Sequence, residues 1–252
     1  MAILWQKDYQ GCRYEVRSAG QTRRLYTDGV FHSQYRPQRA LAGGIWDLLM
    51  LPIFFRSQPH FKRVLVLGVG GGTVLHQLQR YARVEELIGV ELNPIHLQVA
   101  KRYFGVQRSG ARLYQAEAGE WLRDYRGAPF DLIIEDLFGE ADGEPVRPIE
   151  ADAGWFRLLN RNLRKDGMLV MNFIGRNNLR QSAWYQSPAI RQLFSQAYQF
   201  TLPEYENYIA AFLKQPSSSR ELRVRLDSEP SLAREIRRGG CNYTVRRLTH
   251  GQ

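Results

Sequence analysis

From Arg63 onward the chain alternates short apolar runs with stretches whose apolar residues fall three or four apart. Val64-Leu65-Val66-Leu67 is unbroken by polar residues, the pattern of a parallel strand buried on both faces. The loop Gly68-Val69-Gly70-Gly71-Gly72-Thr73 follows, and Val74, Leu75, Leu78 and Tyr81 then take helical spacing. A second strand, Leu87-Ile88-Gly89-Val90-Glu91, leads to Asn93-Pro94, which supplies an N-cap and a first-turn proline for a helix through Leu97, Val99, Ala100 and Phe104. The rhythm then repeats. Strands are expected at Arg112–Tyr114, at Phe130–Glu135 just before Asp136, and at Met168–Phe173, with helices at Glu120–Tyr125 and Trp155–Leu163. This alternation predicts an α/β fold, a Rossmann-like doubly wound and mostly parallel sheet. Gln199–Leu202 and Tyr208–Leu213 have no helix between them and should pair as a terminal antiparallel hairpin.

The flanks read differently. Between Tyr14 and Tyr35, Thr27-Asp28-Gly29 separates Leu25-Tyr26 from Val30-Phe31, a hairpin signal that predicts a small N-terminal β element over residues 1–36. Pro37 opens a segment with Leu41, Ile45, Leu48 and Leu49 at helical spacing, expected to be a linking helix within residues 37–62 that Pro52 kinks or ends. The Rossmann-like domain is assigned to residues 63–216. Pro216-Ser217-Ser218-Ser219 reads as a linker, and residues 217–252 as a basic tail, solvated or interface-forming, with a homodimer among the options.

Composition narrows the classes. Apolar residues make up 44% of 252 positions and are spread along the chain, which excludes disorder and fits one main domain with an accessory element. The net charge of +10 allows an acidic partner, yet no base-reading or stacking motif accompanies it, so nucleic acid is left open without support and a solvated basic surface is preferred. Cys12 and Cys241 stand near opposite ends with no CxxC pair, and the five histidines show no metal-binding spacing, so no metal is expected. The N-terminus lacks a secretory pattern, and the apolar stretch Ile45–Phe55 contains Asp47 and Pro52 and is too short to span a bilayer. A cytoplasmic protein with no membrane partner is expected.

Four features carry chemistry. A glycine loop between a buried strand and a helix lets a ligand approach the backbone. This loop has no Gly-Lys-Ser/Thr and carries Thr73 where the dinucleotide pattern wants glycine, so neither a Walker loop nor a strict dinucleotide site is expected. Glu91 ends the next strand about twenty residues beyond the loop, where a carboxylate can accept hydrogen bonds from both ribose hydroxyls. Glu117 lies just past the third strand, within reach of an adenine amino group, with Glu120 as its competitor. Asp136 stands at the carboxyl end of the fourth strand, at the mouth of the crevice where open α/β sheets bind ligands. Alternation sends Glu135 to the other side, and Asp131 reads as a structural acid. Phe138, Trp155 and Phe173 lie near this mouth, with core packing expected for the last two.

Taken together, Val64 to Thr73, Glu91-Leu92-Asn93-Pro94, the Glu117 segment, Asp131 to Asp136 and the Asp28-Gly29-Val30-Phe31 hairpin resemble the spermidine synthase family of polyamine aminopropyltransferases. The similarity covers roughly Leu25 to Phe173. It implies an adenosyl sulfonium co-substrate, S-adenosylmethionine or decarboxylated S-adenosylmethionine, against the loop of Gly68, Gly70, Gly71 and Gly72. It further implies Glu91 on the ribose, Glu117 near the adenine and Asp136 as the proton-accepting aspartate. Three departures stand out. Gly71 takes the place of a donor-binding aspartate, Asp136 is followed by Leu137-Phe138-Gly139 without the second aspartate, and the tyrosine-histidine-glutamate segment has no counterpart in Arg36-Pro37-Gln38-Arg39-Ala40. With fewer acids and a net positive charge, putrescine is disfavoured as acceptor. The expectation is therefore methyl transfer to a small-molecule acceptor, with aminopropyl transfer and a non-catalytic nucleoside-binding protein as the alternatives.

Overall fold

The computed structural model describes residues 1–141 and 144–249. Four strands, β1 (Ala2–Tyr9), β2 (Cys12–Ala19), β3 (Thr22–Thr27) and β4 (Val30–Tyr35), meander into one antiparallel sheet. Asp28 and Gly29 both have positive φ, 46° and 84°, the two-residue turn whose twist suits a hairpin, and Thr27 pairs with Val30 as the sequence predicts. Strand β1 lies inside the expected β element, but nothing in the sequence marks it as a strand of its own. It is largely exposed and its sequence lacks a clean alternation, so periodicity carries little signal there.

Helix α1 (Ile45–Met50) continues into a 3-10 turn at Leu51–Phe55, with Pro52 in its first positions. The helix does not begin near Pro37. The Asp47 carboxylate accepts the backbone N–H groups of Ala42 (2.7 Å), Gly43 (2.8 Å) and Gly44 (3.2 Å), which folds the preceding segment into a tight turn instead. The alternating units follow: β5 (His60–Leu67), α2 (Thr73–Tyr81), β6 (Arg83–Glu91), α3 (Pro94–Val99), β7 (Arg112–Gln115), α4 (Ala118–Asp124) and β8 (Phe130–Glu135). A short ribbon, β9 (Gly139–Ala141) with β10 (Glu144–Val146), interrupts the rhythm before α5 (Ala153–Arg161) and β11 (Leu163–Ile174). Three short helices, α6 (Gly175–Gln181), α7 (Ala183–Gln186) and α8 (Pro188–Arg191), then lead to the hairpin β12 (Gln196–Thr201) and β13 (Asn207–Leu213).

The chain closes with α9 (Ser219–Asp227), α10 (Pro230–Arg237) and β14 (Thr244–Arg247), which corrects the expectation of a linker and an appended tail. Ser218 and Glu221 form a reciprocal capping box, so the serine run starts a helix. Leu222, Leu226, Leu232, Cys241 and Val245 are buried in the main core, and β14 pairs with β12 as an edge strand. The arginines masked this pattern, because they occupy the exposed positions of elements too short to show a long apolar stripe. Residues 250–252 of the expected tail lie outside the described residues.

The large sheet runs β14-β12-β13-β11-β8-β5-β6-β7, with β11, β8, β5, β6 and β7 parallel and the last hairpin antiparallel. It is the Rossmann-like sheet with a terminal hairpin that the pattern predicts. Alternate residues serve opposite faces: Val64, Val66, Leu132 and Ile134 pack in the cluster of α1, α2 and α9, while Leu65, Leu67 and Ile133 pack in that of α4 and α5. Strand order reverses between β5 and β8, and a crevice opens where their carboxyl ends diverge.

Candidate active site at the carboxyl ends of the strands

A cavity of about 1270 Å³ occupies this crevice. Its floor is the ends of β5, β6 and β8 with the residues after β7, and its roof comes from the turns and strands of the N-terminal sheet, including Tyr14, Asp28, Phe31 and His32. Gly68 and Gly70 line it. Both have positive φ, and a Cβ on Gly68 would overlap the backbone carbonyl of Asp136, so only glycine lets β5 leave the sheet this close to β8. Gly71 and Gly72 face elsewhere. A Cβ on Gly71 would lie 2.6 Å from the Phe104 ring and one on Gly72 2.5 Å from Val106, so these two seat the loop on the turns beyond α3. The family's missing aspartate could not be accommodated at Gly71 without moving Phe104.

Glu91 is brought to the loop by the parallel pairing of β5 and β6. Its Oε2 accepts the N–H groups of Val69 and Gly70 at 2.9 Å each, and its Oε1 accepts that of Asn93 at 2.9 Å. The carboxylate is thus held by backbone donors at the cavity wall, 9% exposed. Asn93 caps α3 through Oδ1, with Pro94 in the first turn, as the sequence predicts. Glu117 is the N-cap of α4: Oε1 accepts from Gly119 N–H (2.8 Å) and Oε2 from Glu120 N–H (2.7 Å). It lines the cavity while its competitor Glu120 does not.

Asp136 and Glu135 part as strand alternation requires. Glu135 is fully buried and paired with Arg147, with Nη2 to Oε1 at 2.6 Å and Nη1 to Oε2 at 3.1 Å, and Trp155 Nε1 donates to Oε1 at 3.3 Å. Asp136 faces the cavity, where Asn172 Nδ2 donates to its Oδ1 at 2.8 Å. Asn207 Nδ2 in turn donates to Asn172 Oδ1 at 3.0 Å, which orients the Asn172 amide. Burial, with the nearby Glu135 and Glu91 charges adding to it, pushes the Asp136 carboxyl up to about 7 against the opposing Asn172 hydrogen bond. Asp131 is structural: it accepts from Arg63 N–H at 2.8 Å and pairs with Arg164 at 3.2 Å.

Spacing rules could not find the remaining wall. His32 and His96 lie with ring centroids 4.8 Å apart, and Thr27 Oγ1 is 2.9 Å from His96 Nε2. Burial drives both imidazoles down to about 4, so they are neutral near pH 7. Phe31, Ile45, Trp46, Leu137, Phe138 and Ile149 add apolar surface to the cavity wall, Leu137 and Phe138 directly following Asp136. Trp155 both packs in the core and lines the cavity, whereas Phe173 is core alone. Asn172 did leave a trace in the sequence, as one amide inside the apolar strand Met168-Leu169-Val170-Met171-Asn172-Phe173.

A family model, the spermine/spermidine synthase domain, matches residues 48–223. The chain belongs to the spermine/spermidine synthase domain family. Among its relatives, polyamine aminopropyltransferase 2 of Caldanaerobacter subterraneus subsp. tengcongensis is 27% identical over 169 residues, 66% of this chain and 55% of that protein. Spermidine synthase of Schizosaccharomyces pombe is 31% identical over 153 residues, 58% and 48% of the two chains. The chain spans about half the length of these relatives. In fold, this family member superposes on a probable spermidine synthase from Corynebacterium glutamicum with a TM-score of 0.75 at 17% identity, covering 98% of this chain and 91% of the other. A spermidine synthase crystallised with the transition-state analogue AdoDATO gives 0.62 at 15% identity, over 87% and 75%. Human methyltransferase-like protein 13, solved with SAH, gives 0.55 at 18% identity, over 77% and 90%. The last likeness places the sheet in the wider methyltransferase-type fold.

Proposed function

We propose that this protein transfers an aminopropyl group from decarboxylated S-adenosylmethionine to an amine with an apolar body. The observation that carries this reading is the charge of the cavity. Asp28, Glu91, Glu117 and Asp136 line it, and Arg123, beside Glu117, is the single lysine or arginine among the described lining residues. The excess of basic residues lies elsewhere on the molecule, so net charge is no argument against a cationic substrate here. Intact S-adenosylmethionine carries a carboxylate on its tail, and among the described lining residues no guanidinium or ammonium stands next to Asp136 to receive it. A donor with sulfonium and ammonium charges fits the four acids better. The family match favours the same reading over the methyl transfer that the eroded motifs suggest.

Two further features support the donor. Gly68 and Gly70, both at positive φ, bring the loop backbone to the cavity lining, and Glu91 is held where ribose hydroxyls can replace or join its backbone donors. In the reaction, the acceptor nitrogen attacks the propyl carbon in line with sulfur. The lone pair of the neutral amine forms the N–C bond as the C–S bond breaks, the sulfonium leaves as a neutral thioether, and the N–H proton that the alkylated nitrogen sheds passes to the Asp136 carboxylate. A carboxylate near pH 7 in affinity is suited to taking that proton. Asn172 and Asn207 hold it in position, and the apolar part of the cavity wall excludes water from the attacking nitrogen.

Calorimetric titration with the two donors tests the reading. Decarboxylated S-adenosylmethionine should bind at least about tenfold more tightly than the intact compound, and turnover with an amine panel should release methylthioadenosine. Equal or tighter binding of intact S-adenosylmethionine would restore the methyl-transfer reading.

A further inference from the structure

A second cavity, of about 400 Å³, lies on the far side of Phe104 from the glycine loop. Arg23 on β3, Arg102 in the π-helical turn Ala100–Phe104 and Arg108 in the 3-10 turn Val106–Ser109 line it together, with Tyr35 and Tyr103. No lining residue carries a carboxylate. None of the three guanidinium groups forms an ion pair among the described residues. Arg23 donates to the carbonyls of Gly20 (3.0 Å) and Thr22 (3.4 Å), and Arg102 lies 5.4 Å from the Tyr103 ring centre. The charge of Arg108 is felt by both Tyr35 and His76, whose rings stack 4.2 Å apart at the pocket wall.

Three guanidinium groups without an ion pair among the described residues line one concavity that no lining carboxylate neutralises, an arrangement that favours an anion. Phosphate oxygens match the guanidinium fork. The volume exceeds a single phosphate and suits a pyrophosphate or a small phosphate ester. The pocket is assembled from the N-terminal sheet and from a π-helical turn, an irregularity frequent at functional sites. Its charge is opposite to that of the donor cavity, so the two do not compete for one ligand. We infer that this pocket binds a small phosphorylated anion. The inference does not depend on the reaction assigned above.

Inorganic pyrophosphate at low ionic strength is the probe, titrated calorimetrically into the full chain. Saturable binding is expected, weakened at least about tenfold in the Arg102→Gln/Arg108→Gln double variant, the loss of one charge-assisted hydrogen bond. An Arg237→Gln/Arg238→Gln control, two exposed positions at the end of α10, should bind as the unaltered protein does. Both side chains changed in the first variant are exposed, and unfolding of each variant without ligand checks the fold. ADP should displace pyrophosphate and adenosine should not. No saturable binding, unchanged affinity in the first variant, equal loss in the control, or displacement by adenosine would each overturn the inference.

Discussion

The Asp136 carboxyl is the group whose replacement says most. Asparagine has the same shape and can still accept from Asn172, so Asp136→Asn should fold, while turnover falls about 10² to 10⁴-fold for want of a proton acceptor. The same change has a signature in stability. Folded Asp136 titrates at about 7 against a normal value of 3.8, so the folded state binds more protons between those pH values. Its stabilising contribution is complete below 3.8 and lost as pH rises through about 7. Thermal unfolding from pH 4 to 8 should therefore show the asparagine variant gaining on the unaltered protein as pH increases; a constant difference would mean that Asp136 is not held protonated. Gly71→Asp tests the donor loop in the opposite sense. Restoring the family's carboxylate should destabilise by about 1–3 kcal/mol through the clash with Phe104. Donor affinity, read by calorimetry, should not improve. Gly68, Glu91 and Asp136 were legible in the sequence because each follows or ends an apolar strand, and strand ends converge. His32, His96, Arg147 and Asn207 come from segments far apart in the chain: the histidines meet where the N-terminal sheet covers α3, Arg147 arrives with the segment after β10, and Asn207 reaches Asn172 only through the β11–β13 pairing.

At the scale of elements, a buried arginine just beyond β10 fastens the β9–β10 segment to the sheet. Arg147 reaches from just beyond β10 to Glu135 in β8 and also donates to the Asn172 carbonyl, with its side chain 7% exposed. Arg147→Ala leaves Glu135 charged and unpaired beneath Trp155, at a cost of about 3–5 kcal/mol. Chemical denaturation should register that loss, and replacing Glu135 by leucine together with Arg147 by methionine should recover much of it. If the single change is neutral, the segment is anchored by other contacts. The strand-helix alternation from Arg63 to Phe173 was readable because parallel strands buried on both faces are continuously apolar. The helix at Ile45 was legible but its start was not, since Asp47 replaces the expected first turn with a hydrogen-bonded loop. Helices α9 and α10 were hidden by arginine-rich composition, although Ser218 and Glu221 spelled out the capping box in plain residues.

Across the whole molecule, the closing segment α9–α10–β14 is part of the core, and Cys241 reports on it. Burial, reinforced by the Asp47 and Glu204 charges, pushes this thiol up to about 12. At pH 8 about one molecule in ten thousand would carry the thiolate in place. Alkylation of Cys241 in native protein should therefore proceed only as fast as the segment opens, and mass spectrometry of timed samples would follow it. Labelling at the rate of a free thiol would show that the segment is not docked. Charge is likewise a property of the whole: the chain carries a net +10, while the described lining of the crevice carries four acids and one arginine. The close passage of Gly68 under the Asp136 carbonyl has its own outcome for how such a protein can diversify. On the proposed reading, the part that would hold a nucleoside and the part that would accept a proton are soldered at one backbone crossing, so neither can drift without the other. New acceptors must then be gained through the roof and the segment after β8, where loops from other parts of the chain can change while the crossing stays untouched.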